Sequence, residues 1–222
     1  MKFFSHIRYF FYIAYNWNIS IAWYITRQEI KGEKKYGIHT TGADELKGLE
    51  EKGIDITHAT IYMPASYELL EELFKQLNVS KSLNNFLDIG CGKGRALCLA
   101  AHHGAEKVTG IDLSKELCDT AKENLAATKQ KIPALNYNVI NNDAFYFEIP
   151  SDVDCIFLFN PFDEIIMSGV VKNIVKSLKK HPRKITVLYI NPLQKQLFAK
   201  AGFKETWHTK KMKYLEAIIM TN

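Results

Sequence analysis

The chain has 222 residues, 47% of them hydrophobic, which is enough for one sizeable core and excludes a disordered, collagen-like or disulfide-scaffold protein. Its formal charge of +5 is uneven: residues 1–35 carry six Lys or Arg against Glu29 and Glu33, so the body of the chain lacks the broad basic footprint of a nucleic-acid binder. Four cysteines without a C-x-x-C pair exclude a disulfide framework and read as reduced, mostly buried side chains.

Residues 1–26 hold ten of the 27 aromatics, and Phe3, Ile7, Phe10, Ala14, Trp17, Ile21 and Tyr24 recur at alternating steps of four and three. That spacing predicts one amphipathic helix. Asn16, Asn18 and Ser20 interrupt the apolar run short of the roughly 18 residues a membrane span needs, and no compact aliphatic stretch with a small-residue cleavage site suggests a signal peptide. The expectation is a cytoplasmic chain whose helix docks on the domain beside the active site. The rival is a membrane-peripheral helix, since a basic, aromatic helix also suits a lipid surface. Residues 31–60, rich in Gly, Thr and charge, read as a linker with at most one short helix near 43–51. An N-terminal extension over 1–60 and a main domain over 61–222 follow.

Beyond Pro64 a helix is predicted over Tyr67–Leu77, after which strand and helix alternate. Strands are expected at Phe86–Ile89, Lys107–Ile111, Asn136–Ile140, Val153–Phe159 and Lys184–Ile190. Helices are expected at Arg95–His102, Ser114–Thr128, Glu164–Lys180 and Leu193–Lys200. Such succession implies an α/β, doubly wound, Rossmann-like sheet. Phe203–Thr209 and Met212–Met220 are joined by only Lys210-Lys211, too few residues for a crossover, so a seven-stranded, mostly parallel sheet should end in an antiparallel hairpin. The basic run from Lys172 to Lys184 has helical spacing and reads as a solvated face.

Phe86-Leu-Asp-Ile-Gly-Cys-Gly-Lys-Gly-Arg95 sets a strand, a glycine turn and a helix in succession, where backbone can approach a ligand closely. A dinucleotide fingerprint would place Gly or Ala where Arg95 stands, and no Gly-Lys-Ser/Thr closes a Walker loop. Asp112, at the end of the next strand, is placed to accept the hydroxyls of a ribose.

Asp88-Ile-Gly-Cys-Gly-Lys-Gly94 resembles the first motif of class I S-adenosylmethionine-dependent methyltransferases, and Gly110-Ile-Asp-Leu-Ser114 resembles their second. Asn142-Asp-Ala144 is similar to the family's adenine-edge site, and Asp154-Cys-Ile-Phe-Leu-Phe-Asn-Pro-Phe162 to its fourth-strand motif. The resemblance spans 62–222 and implies S-adenosyl-L-methionine as cofactor. It implies contacts from Tyr62, Asp88, Gly90, Cys91, Gly92, Gly94, Asp112, Leu113, Asn142, Asp143, Ala144 and Asn160, with Asp88 near the cofactor's amino group and Asp143 on the adenine amine.

Asn160-Pro161-Phe162 looks like a shortened form of the Asn/Asp-Pro-Pro-Tyr/Phe motif of amine and amide N-methyltransferases. Tyr62-Met-Pro-Ala-Ser-Tyr67 resembles a segment of lysine methyltransferases related to the non-SET histone-lysine enzymes. The implied reaction is methyl transfer to an amine nitrogen, a protein lysine or similar, with Asn160 orienting the acceptor and Phe162 walling its approach. A small-molecule acceptor or a nucleobase remains within the class. The competing readings are a non-catalytic cofactor-binding or membrane-surface adaptor and, against Arg95 and the terminal hairpin, an NAD-dependent oxidoreductase. His39, His58 and His102-His103 lack metal-ligand spacing and read as surface or turn residues, so no metal is expected.

Overall fold

The computed structural model describes residues 2–44, 47–51, 56–58, 61–80, 83–212 and 215–222. At the N-terminus, α1 (Lys2–Asn16) and α2 (Ile19–Tyr36) form a helical hairpin where the apolar stripe predicts one helix. Asn18 is the cause. Its backbone is extended, at φ −168°, and its side-chain oxygen accepts the Ile21 amide at 2.9 Å, ending one helix and capping the next. The break resets the helical phase: Tyr9, Ile13 and Ala22 are the fully buried apolar residues, Phe10, Ala14 and Ile21 of the predicted stripe pack partly buried against them, and its Ile7 and Trp17 are exposed. The helix also runs through residues expected as linker, up to Gly37, which closes α2 with a left-handed φ of 74°.

The short helix α3 (Lys47–Glu50) precedes α4 (Tyr67–Ser80), and the alternating part follows: β1 (Asn85–Ile89), α5 (Arg95–His102), β2 (Lys107–Asp112), α6 (Lys115–Lys131), β3 (Asn136–Asn141), β4 (Cys155–Phe159), α7 (Glu164–Lys180), β5 (Thr186–Ile190), α8 (Lys195–Lys200), β6 (Lys204–Lys211) and β7 (Leu215–Thr221). The seven strands lie in the order β3-β2-β1-β4-β5-β7-β6, parallel except that β7 runs against both neighbours. The hairpin turns later than Lys210-Lys211 suggests: β6 continues to Lys211, paired with Leu215.

Helices on both faces bury the central strands completely, which is why β5 reads as an unbroken apolar run. One face packs Phe86, Phe157 and Leu188 under α4, α5 and α6, and the other packs Leu87, Ile156 and Val187 under α7. β1 and β4 are neighbours at the centre, so the loops that follow them leave the same sheet edge side by side. That adjacency, where the strand order reverses, makes a ligand crevice.

The hairpin is fastened to this body by buried polar chemistry. Arg95, the first residue of α5, is 3% exposed. Its guanidinium pairs with Glu29 of α2, donates to Ala65 O at 2.7 Å and lies 4.0 Å above the Tyr67 ring, while its Nε donates to Thr40 Oγ1 at 2.8 Å. Glu33, one turn further, accepts the Thr40 and Thr41 amides at 2.8 and 2.9 Å. Glu68 of α4 accepts the Tyr24 hydroxyl and the Gln28 amide from α2, and is bridged by Lys211 of β6 at 2.8 Å.

Candidate active site

The glycine loop between β1 and α5 is held by its neighbour strand. Gly90 N and Cys91 N both donate to Ile111 O at 2.9 Å. Asp112, closing β2, accepts Gly92 N on one carboxylate oxygen at 2.8 Å and Ser114 N on the other at 2.9 Å. The acid expected for a ribose therefore also clamps the loop. Burial pushes its carboxyl up, against the opposing pull of the two amides.

Above the loop lies a cavity of about 210 Å³. Its wall brings together Tyr62, Asp88, Gly90, Cys91, Asp112, Leu113, Asn142, Asp143, Ala144 and Phe162 from the residues the sequence singled out, with Pro161 beside Phe162. Gly92, Gly94 and Asn160 stand behind that wall. Gly92 lies under the Tyr62 ring, where an added Cβ would fall 2.2 Å from a ring carbon, and Gly94 backs onto Ala121 of α6. Asn160 follows β4 with a left-handed φ of 35°, and Asn191 follows β5 ahead of Pro192 in the same way, at 49°. Asp143 folds back on its own turn, its side chain accepting Phe145 N at 2.8 Å.

Asp88 is 2% exposed, and among the described residues its Oδ1 has no hydrogen-bond partner. Burial first, and then the neighbouring Asp112 charge, push its carboxyl well above the usual carboxylate range. A buried acid without a cation beside it is costly unless a ligand supplies one. The residues fit S-adenosylmethionine on these grounds: Asp88 offers an orphan acceptor to an ammonium, Asp112 a second carboxylate, and Leu113, Leu117 and Ala144 an apolar wall for a flat base. The loop leaves no space for side chains, since a Cβ on Gly90, whose φ is 83°, would sit 2.7 Å from Pro161.

His58 lies in a turn with its side chain 38% exposed, as the sequence reading has it, but it does more than that. It lines the cavity, and its Nδ1 lies 2.6 Å from Oδ2 of Asp163, the residue that caps α7 through the Ile165 and Ile166 amides. Burial would raise the Asp163 carboxyl, but the Ile166 amide and His58 hold it below its ordinary value. No local signal joins residues 105 positions apart. Tyr62 is fixed over the loop by donating its hydroxyl to Thr40 O at 2.7 Å.

Residues 86–181 match a family described as methyltransferase domain. A protein of Methanocaldococcus jannaschii, named as a candidate protein N5-glutamine methyltransferase, is 32% identical over 117 residues, 53% of this chain and 52% of its own. The chain thus spans about half the length of that relative. Among solved structures, a methylase candidate of Haemophilus influenzae is 21% identical with a TM-score of 0.51, over 70% of this chain and 96% of that one. Magnesium protoporphyrin IX methyltransferase of Synechocystis, solved with S-adenosylmethionine bound, is 15% identical with a TM-score of 0.52, over 69% and 77%. At such identities these two likenesses show the fold. The stretch similar to a methyltransferase domain, 86–181, holds the glycine loop that faces the orphan acid and the strands that set it at the crevice.

Proposed function

We propose that the chain transfers a methyl group to a side-chain nitrogen of a protein, an amine such as lysine or an amide such as glutamine. The observation that carries this reading is the Asn160-Pro161-Phe162 turn, which leaves β4 beside the Asp88 loop with Pro161 and Phe162 in the cavity wall. The Methanocaldococcus relative, by its name a protein glutamine N-methylating enzyme, supports a nitrogen acceptor. S-adenosylmethionine, when bound, supplies the methyl group on a positively charged sulfur.

The protein's part is then positional. Asp88 and Asp112 hold the cofactor's polar ends. Asn160, once its buried Oδ1 turns into the cavity past Pro161 and Phe162, accepts an acceptor N–H on its side-chain carbonyl and sets the nitrogen lone pair inward, and being neutral it does not favour a protonated amine. Phe162 keeps water from the approach. His58, with Nδ1–H donated to Asp163, has Nε2 left to take the proton that a protonated amine must lose before it reacts; at 38% side-chain exposure it can pass that proton to solvent.

The test is to incubate the protein and methyl-labelled S-adenosylmethionine with extract from cells lacking this chain. Label recovered in protein as N-methyl-lysine or N5-methylglutamine is expected. Label in nucleic acid or small molecules overturns the acceptor class, and S-adenosylhomocysteine binding without any transfer returns the adaptor reading. A His58→Gln variant checks the proton route: for an amine acceptor its loss of kcat should fade as pH rises and the free amine becomes abundant.

A further inference from the structure

Residues 2–36 carry only two carboxylates, and both point inward. Glu29, 1% exposed, is spent on Arg95, and Glu33, 8% exposed, on the backbone of Thr40 and Thr41. The outward charges left on the hairpin are therefore all positive: Arg8 on α1, and Arg27, Lys31 and Lys34 on α2 are exposed. Among the same exposed positions stand large apolar side chains. Phe11 and Tyr15 of α1 are 65% and 91% exposed, and Ile19, Trp23 and Ile30 of α2 are 63%, 67% and 52% exposed. Phe10 joins the two helices' aromatics, its ring edge-on to Phe11 at 5.5 Å and to Trp23 at 5.7 Å. Buried contacts do not need these residues, because Tyr9, Ile13 and Ala22 already fill the inner face.

We propose that the outer face of the α1–α2 hairpin binds the surface of an anionic lipid membrane. An exposed aromatic patch of this size asks for a partner. Its composition selects which one: Trp and Tyr suit the headgroup boundary, and the flanking cations suit anionic lipid. A second copy fits less well, since a two-fold contact between identical faces would set cations against cations. Among the described residues no helix is long and apolar enough to cross a membrane, so the hairpin would lie on the surface. Docking on the domain and contact with lipid thus belong to opposite faces of the same hairpin.

Vesicle co-sedimentation of the full chain tests this, with phosphatidylserine–phosphatidylcholine vesicles against phosphatidylcholine alone. The protein should pellet with the anionic vesicles and not with the neutral ones. Phe11→Ser with Trp23→Ser should lower the partition about tenfold or more by removing exposed apolar area. Arg27→Glu with Lys31→Glu should do the same on anionic vesicles while leaving the apolar patch whole. Failure of the native chain to pellet, equal pelleting with neutral vesicles, or full binding by both variants would each overturn the proposal. So would light scattering that finds a dimer which Phe11→Ser with Trp23→Ser dissociates, with no lipid binding, since the face would then be a self-interface.

Discussion

The glycine loop and the N-terminal hairpin touch each other, yet they are encoded in opposite ways. From β1 to α5 every requirement is local: a strand, glycines where backbone must turn, an acid before them, and a second acid ending the next strand. The hairpin depends on partners far away, above all on Arg95, 66 residues beyond Glu29. Glu29 and Glu33, which enter the sequence reading only as part of a charge count, become the fastening once that partner arrives. The lesson is that a charge pattern on a helix cannot be assigned to solvent until the inventory of buried cations on other elements is known.

The comparison breaks most sharply at the ion pair. Replacing Arg95 by Met leaves Glu29 buried and unpaired, and unfolding by urea should show a loss of about 3–5 kcal/mol. Adding Glu29→Leu should restore much of it, because the uncompensated charge disappears. If the hairpin were a loosely appended segment, neither change would alter the unfolding of the sheet.

Asp112→Ala sharpens the other side. Loss of two hydroxyl contacts to a carboxylate should weaken S-adenosylmethionine binding by about 3 kcal/mol, near 150-fold by calorimetry. The structure adds a stability cost of about 1–3 kcal/mol, because the Gly92 and Ser114 amides lose their acceptor. Sequence reasoning alone leaves the fold untouched by that change.

Asn160→Ala should lower kcat by about 100-fold with a much smaller change in cofactor affinity, as a loss of aligned geometry does. Full turnover would reduce the Asn160-Pro161-Phe162 segment to a plain turn.

Asp88→Asn is the smallest effect and the one with two signs. Its carboxyl is raised by burial, so its contribution to stability is greatest below the unfolded-state pKa and is lost as pH rises through the folded one. The amide variant of the cofactor-free protein should therefore melt higher near neutral pH, by about 1 kcal/mol equivalent or less, and the gain should vanish in acid. Cofactor binding should weaken in the same variant. A lower melting temperature near neutral pH would mean that Asp88 already has a partner in the cofactor-free protein.

Most of the fold was legible. α5 and α7 begin and end where periodicity and caps put them, and the strands shift by at most three residues. Val153 and Asp154 fall outside β4, although the Asp154 backbone still donates to Asn85 O at 3.2 Å and accepts Thr186 N at 2.9 Å. The helix break at Asn18 was readable in principle, since Asn is a strong capping residue, but the continuous aromatic stripe outweighed it. The His58–Asp163 pair was not readable, because it exists only once β4 and the segment before α4 meet.

The two asparagines with left-handed backbones, each followed by proline after adjacent strands, give this protein an internal control that no mutagenesis has to build. In a saturation library both positions should exclude β-branched residues, which resist that conformation. Selected for folding alone, 160 and 191 should accept the same short menu of Asn, Gly and Asp. Selected for turnover, position 191 should keep that menu, and position 160 should narrow to the amide.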